Sequence, residues 1–306
     1  MPLDRSIMIE GGPVGVLLIH GLGGTPVELR EVARRLAATG ATVLCCQLAG
    51  HCGTEAELAT TTIEDWYASA AAALATLEAR CTKVIVGGLS MGALLAALLA
   101  ARNPESVDGV VMLAPTLRYD GWSIPRYGFL LRLLINTPLG RRYRFVEREP
   151  YGLKDERIRS VIVRAMRLGD TDAGSLGTPS AALRQLWRLV AELKPQLGNI
   201  RQPVFIAHAR HDDVASFNNA VLLQRRLGGT VDCLVLDDSY HLVTLDRQRH
   251  LVTDRISAFI RGVVEAPLRQ PASEPRRATA GRAERQAPHT QPPHIQPPQG
   301  QVAHVA

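Results

Sequence analysis

Apolar residues in this chain are grouped in two ways, and the two groupings predict different secondary structures. Continuous apolar runs of strand length are typical of strands buried on both faces of a parallel sheet, and they alternate here with longer segments of helical period. This alternation predicts an α/β fold with a mostly parallel, doubly wound sheet. The predicted strands are 14–19, 42–47, 83–86, 107–113, 204–208 and 231–236. The predicted helices are 27–38, 62–80, 90–102, 182–197, 217–227 and 246–263.

Two segments interrupt this alternation. Residues 116–180 contain no predicted strand, and an insertion of this length in an α/β domain is typical of a helical cap. Residues 267–306 hold 8 of the 19 prolines and no Cys, Trp, Tyr or Phe, which predicts a disordered Pro/Gln-rich tail. We therefore expect one α/β domain at residues 1–266, with the cap inserted at about 116–180, followed by the tail at 267–306.

The composition is that of a soluble globular protein, since 46% of the 306 residues are hydrophobic and 21% are charged. Aromatic residues make up 5%, which argues against a stacking platform for single-stranded nucleic acid. The net charge of +6 is concentrated: residues 117–180 carry 12 Lys or Arg against 7 Asp or Glu, and residues 267–306 carry 5 against 2. We expect no nucleic-acid partner. For the basic cap, a weak contact with a membrane surface and a simple solvated face are both compatible with this charge.

Three features predict a cytoplasmic protein. The five cysteines are odd in number and too sparse for a disulfide scaffold. The first ten residues lack the pattern of a secretory signal peptide. The longest apolar stretch, residues 91–101, is about half of the ~20 residues that span a bilayer.

The segment Gly88-Leu89-Ser90-Met91-Gly92 follows a predicted buried strand and begins a predicted helix. A G-x-S-x-G sequence in this context is typical of a nucleophile elbow, a sharp turn that presents a serine at its tip. The small flanking residues fit such a crowded turn. Free N–H groups at the start of the helix are suited to stabilise a developing oxyanion. Ser90 is therefore the predicted nucleophile.

A serine nucleophile needs a base and an acid, which in hydrolases of this chain order follow it at the ends of later strands. His241 follows the last predicted strand and is the predicted general base. Asp212 and Asp213 follow the strand before it. Because adjacent side chains point in different directions, one aspartate is expected to face the histidine, and the other to face solvent or cap the helix near Ser216.

Residues 20–26, with the sequence HGLGGTP, follow the first predicted strand. Glycines let backbone N–H groups approach a substrate closely, so this loop is suited to complete an oxyanion hole and to contact the substrate through Gly21. The predicted donors are the backbone N–H groups of Leu22 and Met91. His20 is expected to brace the loop. The segment matches neither the phosphate-binding loop nor the dinucleotide-binding glycine pattern.

Four stretches of the sequence resemble the α/β-hydrolase superfamily, and within it the small bacterial carboxylesterase and monoacylglycerol lipase family. They are LLIHGLGGTP (17–26), GLSMGA (88–93), ARHDDV (209–214) and SYHLVTLD (239–246). The resemblance implies an α/β-hydrolase fold and a catalytic triad of Ser90, Asp212 and His241. It also implies hydrolysis of short- to medium-chain acyl esters without a cofactor. The chain departs from relatives at Cys52, where they commonly have glycine, and at Ala93.

The remaining groups of residues are candidate metal ligands and an apolar segment of the cap. The groups around His208 and around Cys45 lack the C-x-x-C or H-E-x-x-H spacing of zinc sites, so no metal is expected. The apolar cap segment with Trp122, Phe129 and Leu130 is either an acyl-binding wall over the serine or packing of the cap on the core.

These observations together predict a serine carboxylic-ester hydrolase that forms an acyl-enzyme. A thioesterase or acyltransferase using the same triad remains an alternative because the carbonyl chemistry is shared. A non-catalytic protein that binds a small molecule on the same fold is a second alternative.

Overall fold

A seven-stranded sheet forms the centre of the part of the chain that the computed structural model describes, which is residues 4–125, 135, 137–146, 148–169, 174 and 177–266. The strands in chain order are β1 (Ile7–Ile9), β2 (Val14–Ile19), β3 (Thr42–Cys46), β4 (Lys83–Leu89), β5 (Gly109–Leu113), β6 (Arg144–Val146), β7 (Gly177–Pro179), β8 (Val204–Ala209) and β9 (Val231–Leu236).

The central sheet has the strand order β1-β3-β2-β4-β5-β8-β9. Strand β1 pairs antiparallel with β3, and every other pair in this sheet is parallel. Leu17 in β2 lies opposite Leu44 in β3 and Val86 in β4. The predicted mostly parallel α/β sheet is confirmed.

Helices cover both faces of this sheet. Because successive strand residues point to opposite faces, each strand contributes side chains to both cores. Leu17 and Ile19 pack in one core cluster, whereas Val16 and Leu18 pack in the other. The helices are α1 (Arg30–Ala38), α2 (Glu55–Thr60), α3 (Ile63–Glu78), α4 (Met91–Arg102), α5 (Pro138–Arg141), α6 (Glu156–Arg167), α7 (Ser180–Leu193), α8 (Asn218–Arg226) and α9 (Arg249–Glu265). The first cluster includes residues of α3, α4 and α7, and the second includes residues of α1 and α9.

The segment between β5 and β8 contains α5, β6, α6, β7 and α7. Strands β6 and β7 pair antiparallel as a separate two-stranded sheet, so the expectation that residues 116–180 contain no strand is wrong. Each of these strands has three residues and no apolar run, and a pattern search for buried strands therefore misses them. We use the term cap for residues 138–179, a shorter segment than the predicted insertion at about 116–180.

Further differences between the predicted and the observed elements concern the edge of the sheet and the ends of the strands. Strand β1 was not predicted, because three apolar residues between polar flanks give too short a signal. Strand β4 continues through the glycines to Leu89, beyond the predicted end at residue 86. The predicted tail at 267–306 lies outside the described residues. No helix in the described ranges is long and apolar enough to cross a membrane.

Candidate active site

Ser90 lies at the sharp turn between β4 and α4, and its backbone is in the left-handed region with φ +57° and ψ −113°. Such a conformation is strained for a residue with a side chain, and strain of this kind is concentrated at functional sites. The turn also needs glycine on both sides. A Cβ atom at Gly92 would lie 2.0 Å from the carbonyl oxygen of Ile19, and one at Gly88 would lie 2.4 Å from the backbone of Gly92. The two glycines of the G-x-S-x-G sequence are thus required by backbone contacts.

The structure brings Ser90, His241 and Asp212 together, although 151 residues separate the first two. The Nε2 atom of His241 lies 3.0 Å from Oγ of Ser90, and its Nδ1 atom lies 2.8 Å from Oδ2 of Asp212. Because a carboxylate oxygen accepts, Nδ1 carries the proton and Nε2 presents a lone pair to the serine hydroxyl. This is the arrangement in which a histidine acts as a general base.

Asp212 is buried and held from two sides. Its Oδ1 atom accepts hydrogen bonds from the backbone N–H groups of Val214 and Ala215, both at 2.8 Å. Burial acts to raise the pKa of this carboxyl group. The charge and hydrogen bond of His241 act in the opposite direction, and together with the other donors they hold the pKa below its usual value. Asp212 is therefore ionised at neutral pH.

Asp213 is buried as well, so the expectation that the second aspartate faces solvent or caps the helix near Ser216 is wrong. Its Oδ2 atom accepts from the backbone N–H of Gly152 at 3.0 Å, and its Oδ1 atom accepts from the backbone N–H of His241 at 3.3 Å. Burial raises its pKa. Asp213 thus holds the main chain of the histidine loop, and Asp120 accepts from the N–H of Ser216 instead.

Thr116 is a site residue that the sequence analysis did not predict. Its Oγ1 atom lies 3.0 Å from Oγ of Ser90 and also bonds to the carbonyl oxygen of Ala114 at 3.1 Å. No motif contains this threonine. Its position three residues after the end of β5 is the available signal, since the carboxyl ends of neighbouring parallel strands form one edge of the sheet.

The loop after β2 lies beside Ser90. A Cβ atom at Gly21 would be 3.6 Å from that of Ser90, so the loop backbone approaches the nucleophile closely. His20 accepts from the N–H of Leu48 at Nε2 and bonds the carbonyl oxygen of Gly21 through Nδ1, as expected of a bracing residue. Burial lowers the pKa of His20 to about 4, so it is neutral at pH 7. The half-buried Leu22 follows in this loop.

Met91 is the first residue of α4, and the N–H groups of a first helical turn have no acceptor inside the helix. Trp122 donates from Nε1 to the carbonyl oxygen of His211 at 2.9 Å and packs edge-on against Tyr240, with 58% of the residue exposed. It therefore contacts the loops that carry Asp212 and His241. Phe129 and Leu130 lie outside the described residues.

A cavity of about 370 Å³ lies between the cap, the loop after β2 and the loop after β3. Cys52 lines it in a left-handed conformation with φ +64°, and burial raises the pKa of its thiol to about 11. An ion pair between Arg144 of β6 and Glu55 of α2 joins the cap to the sheet domain at this cavity. Within the described ranges no group of three or more His, Cys, Asp or Glu side chains is arranged to hold a metal ion.

The family described as serine aminopeptidase, S33 (Hydrolase_4) matches residues 14–248. This chain belongs to that family. Among its relatives, the thermostable monoacylglycerol lipase of Bacillus sp. (strain H-257) is 32% identical over 251 residues, which cover 82% of this chain and 91% of the lipase. The carboxylesterase of Bacillus subtilis (strain 168) is 25% identical over 258 residues, covering 84% of this chain and 96% of the esterase.

Solved structures of other hydrolases resemble the fold of this S33-type hydrolase. A structure from the work on LipS and LipT, two metagenome-derived lipolytic enzymes, shares 30% identity with a TM-score of 0.73, covering 86% of this chain and 99% of the other. The monoglyceride lipase of Saccharomyces cerevisiae is 15% identical with a TM-score of 0.69, covering 85% and 91%, and shows the shared fold. The predicted α/β-hydrolase superfamily is confirmed, and the chain is a hydrolase with lipase and esterase relatives.

Proposed function

We propose that this chain is a serine ester hydrolase of the carboxylesterase or monoacylglycerol lipase type, with Ser90, His241 and Asp212 as its catalytic triad. The observation that supports this most is the unbroken hydrogen-bonded series from Ser90 Oγ through both ring nitrogens of His241 to Asp212 Oδ2, at 3.0 and 2.8 Å. The names of the relatives support an ester substrate, since they include a monoacylglycerol lipase and a carboxylesterase.

In the proposed acylation step, His241 Nε2 takes the hydroxyl proton while Ser90 Oγ forms a bond to the ester carbonyl carbon. The carbonyl oxygen becomes an oxyanion, which accepts hydrogen bonds from the backbone N–H groups of Leu22 and Met91. The ionised Asp212 stabilises the imidazolium. When the carbon–oxygen bond to the alcohol breaks, Nε2 returns the proton to the leaving oxygen, and the acyl group remains on Ser90.

Deacylation repeats these steps with water as the nucleophile. His241 Nε2 removes a proton from water, and the hydroxide oxygen attacks the acyl carbon of the ester that joins the substrate to Ser90. The same N–H groups stabilise the second oxyanion. Its collapse releases the carboxylic acid, and the proton on His241 passes to Ser90 Oγ. The cycle consumes one water and needs no cofactor.

The decisive experiment measures hydrolysis of p-nitrophenyl esters of increasing acyl length by the wild type, Ser90→Ala and the control Ser160→Ala. Ser160 is an exposed serine on α6, so its loss should leave turnover unchanged. We expect Ser90→Ala to lose at least about 10³-fold in kcat, because removing the nucleophile removes the acyl-enzyme route. Full activity in Ser90→Ala contradicts the proposal.

A wild type that hydrolyses none of these esters also contradicts the proposed activity. Acyl-CoA thioesters, offered with and without an acceptor alcohol, then test the alternative of a thioesterase or acyltransferase on the same triad. Binding of acyl ligands without turnover of either class supports the ligand-binding alternative.

We also propose a weak contact between the cap and an anionic membrane surface. Val161 of helix α6 and Leu168, directly after the helix, are 67% and 76% exposed and lie beside Arg157, Arg164 and Arg167. Apolar and basic side chains on one exposed helix face are typical of helices that lie at a membrane surface. Flotation with vesicles containing anionic lipid should recover more wild type than Leu168→Ser, and equal recovery contradicts the contact.

A further inference from the structure

His208 is a completely buried histidine that the proposed reaction leaves without a role. It is the fifth residue of β8 and lies four residues before Asp212. Its ring packs edge-on against Phe217 with a centroid distance of 5.9 Å. Burying a polar ring costs free energy of folding unless its nitrogen atoms are hydrogen-bonded, so the hydrogen bonds of His208 indicate its role.

The hydrogen-bond partners of His208 determine where its proton lies. The Nε2 atom lies 2.8 Å from the carbonyl oxygen of Ala215, and a carbonyl can only accept, so Nε2 carries the hydrogen. The same Nε2 atom lies 3.4 Å from Oδ2 of Asp212. Its Nδ1 atom is buried and has no hydrogen-bond partner. This N–H therefore donates its hydrogen bond to Ala215 and lies close to the carboxylate of Asp212.

Ala215 connects this contact to the triad in a second way. Its carbonyl oxygen accepts from His208, while its own backbone N–H donates to Oδ1 of Asp212 at 2.8 Å. His208 thus holds Ala215, and Ala215 in turn holds Oδ1 of Asp212. The Nε2 atom of His208 also lies near Oδ2 of Asp212. That second oxygen, Oδ2, is the one that accepts from His241.

We propose that His208 is a positioning residue that holds Asp212 in the orientation required by His241. This inference rests on the proposed function and adds a residue outside the triad to it. The role requires an N–H group at the position of Nε2 and does not require the imidazole ring itself.

His208 performs this role as a neutral ring. Burial lowers its pKa, against the opposing effects of Asp212 and, to a smaller extent, Asp120, while the charge of His241 acts in the same direction as burial. Protonation would also place a second N–H at Nδ1, where the structure offers no acceptor. A neutral donor orients the carboxylate without adding a positive charge that competes with His241 for Asp212.

The test compares His208→Gln with His208→Met. The two side chains have nearly the same length and shape, but only glutamine presents an N–H near the position of Nε2. We expect His208→Met to lower kcat about tenfold, the effect of one lost hydrogen bond, and to leave KM unchanged. We expect His208→Gln to retain most of kcat. His250→Met, an exposed histidine on α9, is the matched control and should change neither parameter.

The pH profile separates positioning from loss of folded protein. If Asp212 turns away from His241 in His208→Met, the imidazolium loses its anionic partner and the acid limb of kcat/KM moves to lower pH. A mere loss of folded molecules lowers the rate at every pH and leaves the limb in place. His208→Gln should restore the limb. Wild-type kinetics in His208→Met, or equal losses in both variants, overturn the proposal.

Two further measurements distinguish failure of this proposal from failure of the proposed function and from loss of folding. If the wild type shows no turnover dependent on Ser90, the proposed function has failed, and the low-field NMR proton of the Asp212–His241 hydrogen bond tests His208 without turnover. This signal should persist in His208→Gln and broaden or vanish in His208→Met, and persistence in both overturns the role. If His208→Met does not fold, His208→Leu replaces it. Loss of folding in both, with recovery in His208→Gln, shows a requirement of the fold and overturns a role confined to Asp212.

Discussion

The sheet domain and the cap are stabilised in different ways. Strand β5 and helix α4 of the sheet domain are almost entirely buried, whereas α6 of the cap buries Val163 and leaves Val161 two-thirds exposed. The cap is joined to the sheet domain by partly exposed ion pairs, such as Arg144 with Glu55 and Lys154 with Asp238.

This difference separates two tasks. All groups that the proposed reaction uses come from the ends of strands of the central sheet or the loops that follow them. The side chains Ser90, Asp212 and His241 are themselves buried, so close packing sets their positions. The ion pairs of the cap are partly exposed and worth little individually. The segment around Gly152 is tied more closely, by hydrogen bonds with Asp213 and with the backbone of Leu242. Changes in the sheet domain should therefore affect the rate of the chemical steps, and changes in the cap should affect which substrate binds.

The largest expected effect is that of Asp212→Asn, which should lower kcat by about 10⁴-fold, because the amide no longer selects the required tautomer of His241. Asp213→Asn is the matched control on the adjacent residue. It should cost far less in kcat, since Asp213 holds only backbone N–H groups. Steady-state kinetics of both variants checks this, and the opposite order would reassign the acid.

The second prediction concerns the backbone of the elbow. Gly92→Ala should lower the free energy of unfolding by about 3 kcal/mol or more, because the new Cβ would lie 2.0 Å from the carbonyl oxygen of Ile19. Gly262→Ala is the control, since a Cβ there meets nothing within 4 Å inside α9. It should stabilise the protein by up to about 1 kcal/mol. Urea unfolding of both variants measures the contrast, and equal stabilities contradict it.

The third prediction uses the opposite pKa shifts of the two aspartates. The pKa of Asp212 is lowered from 3.8, so its stabilising contribution is present above pH 3.8 and is lost as the pH falls through the lower folded value. The pKa of Asp213 is raised from 3.8, so its contribution is present below pH 3.8 and is lost as the pH rises through the higher folded value.

Unfolding free energies measured from acid to neutral pH test these signs. Asp212→Asn should remove a fall in stability on the acid side of pH 3.8, and Asp213→Asn should remove a fall on the other side. Parallel curves for the two variants and the wild type would show that neither carboxyl group is coupled to folding in this way.

The smallest expected effect is that of Glu55→Gln, which breaks the ion pair between α2 and Arg144 of the cap. The free energy of unfolding should fall by less than about 1 kcal/mol. Because Glu55 lines the cavity between the cap and the loop after β2, KM should change while kcat stays the same. Glu31→Gln breaks a comparable ion pair with Arg35 on α1, remote from the cap, and should leave KM unchanged. A loss of kcat in Glu55→Gln would contradict the division between the two regions.

The same two regions differ in how far the sequence predicts them. The continuous apolar runs of β2 and β5 correctly predicted buried strands, and strand-to-helix context predicted the turn at Ser90. The prediction that the strand at 231–236 is buried on both faces is wrong, because β9 lies at the edge of the sheet and exposes Asp232. The chain order placed candidates for the acid and base after β8 and β9, and the structure brings their side chains to Ser90. Short elements carry no such signal, and β6 and β7 of the cap were missed because a three-residue strand with Arg144 or Pro179 has no detectable period.

Residues whose roles depend on contacts across the fold could not be predicted. Asp213 was expected to face solvent or cap a helix, because nothing local shows that the N–H of Gly152, 61 residues away, comes to it. Thr116 and His208 belong to no motif, and their partners Ser90 and Asp212 meet them only in the folded chain. Sequence patterns therefore predict the strand ends that build the site more readily than the contacts that orient its side chains.

The contact between Gly92 and Ile19 has a mechanical consequence. Because the first turn of α4 touches the last carbonyl of β2 without a side chain between them, the serine and the loop that begins at His20 are parts of one rigid body. A bulky substrate that pushes the cap outwards therefore leaves the spacing between nucleophile and loop unchanged. The histidine loop differs, because the cap residue Gly152 bonds to Asp213 and to the backbone of Leu242, so an outward movement of the cap acts on the base before it acts on the nucleophile.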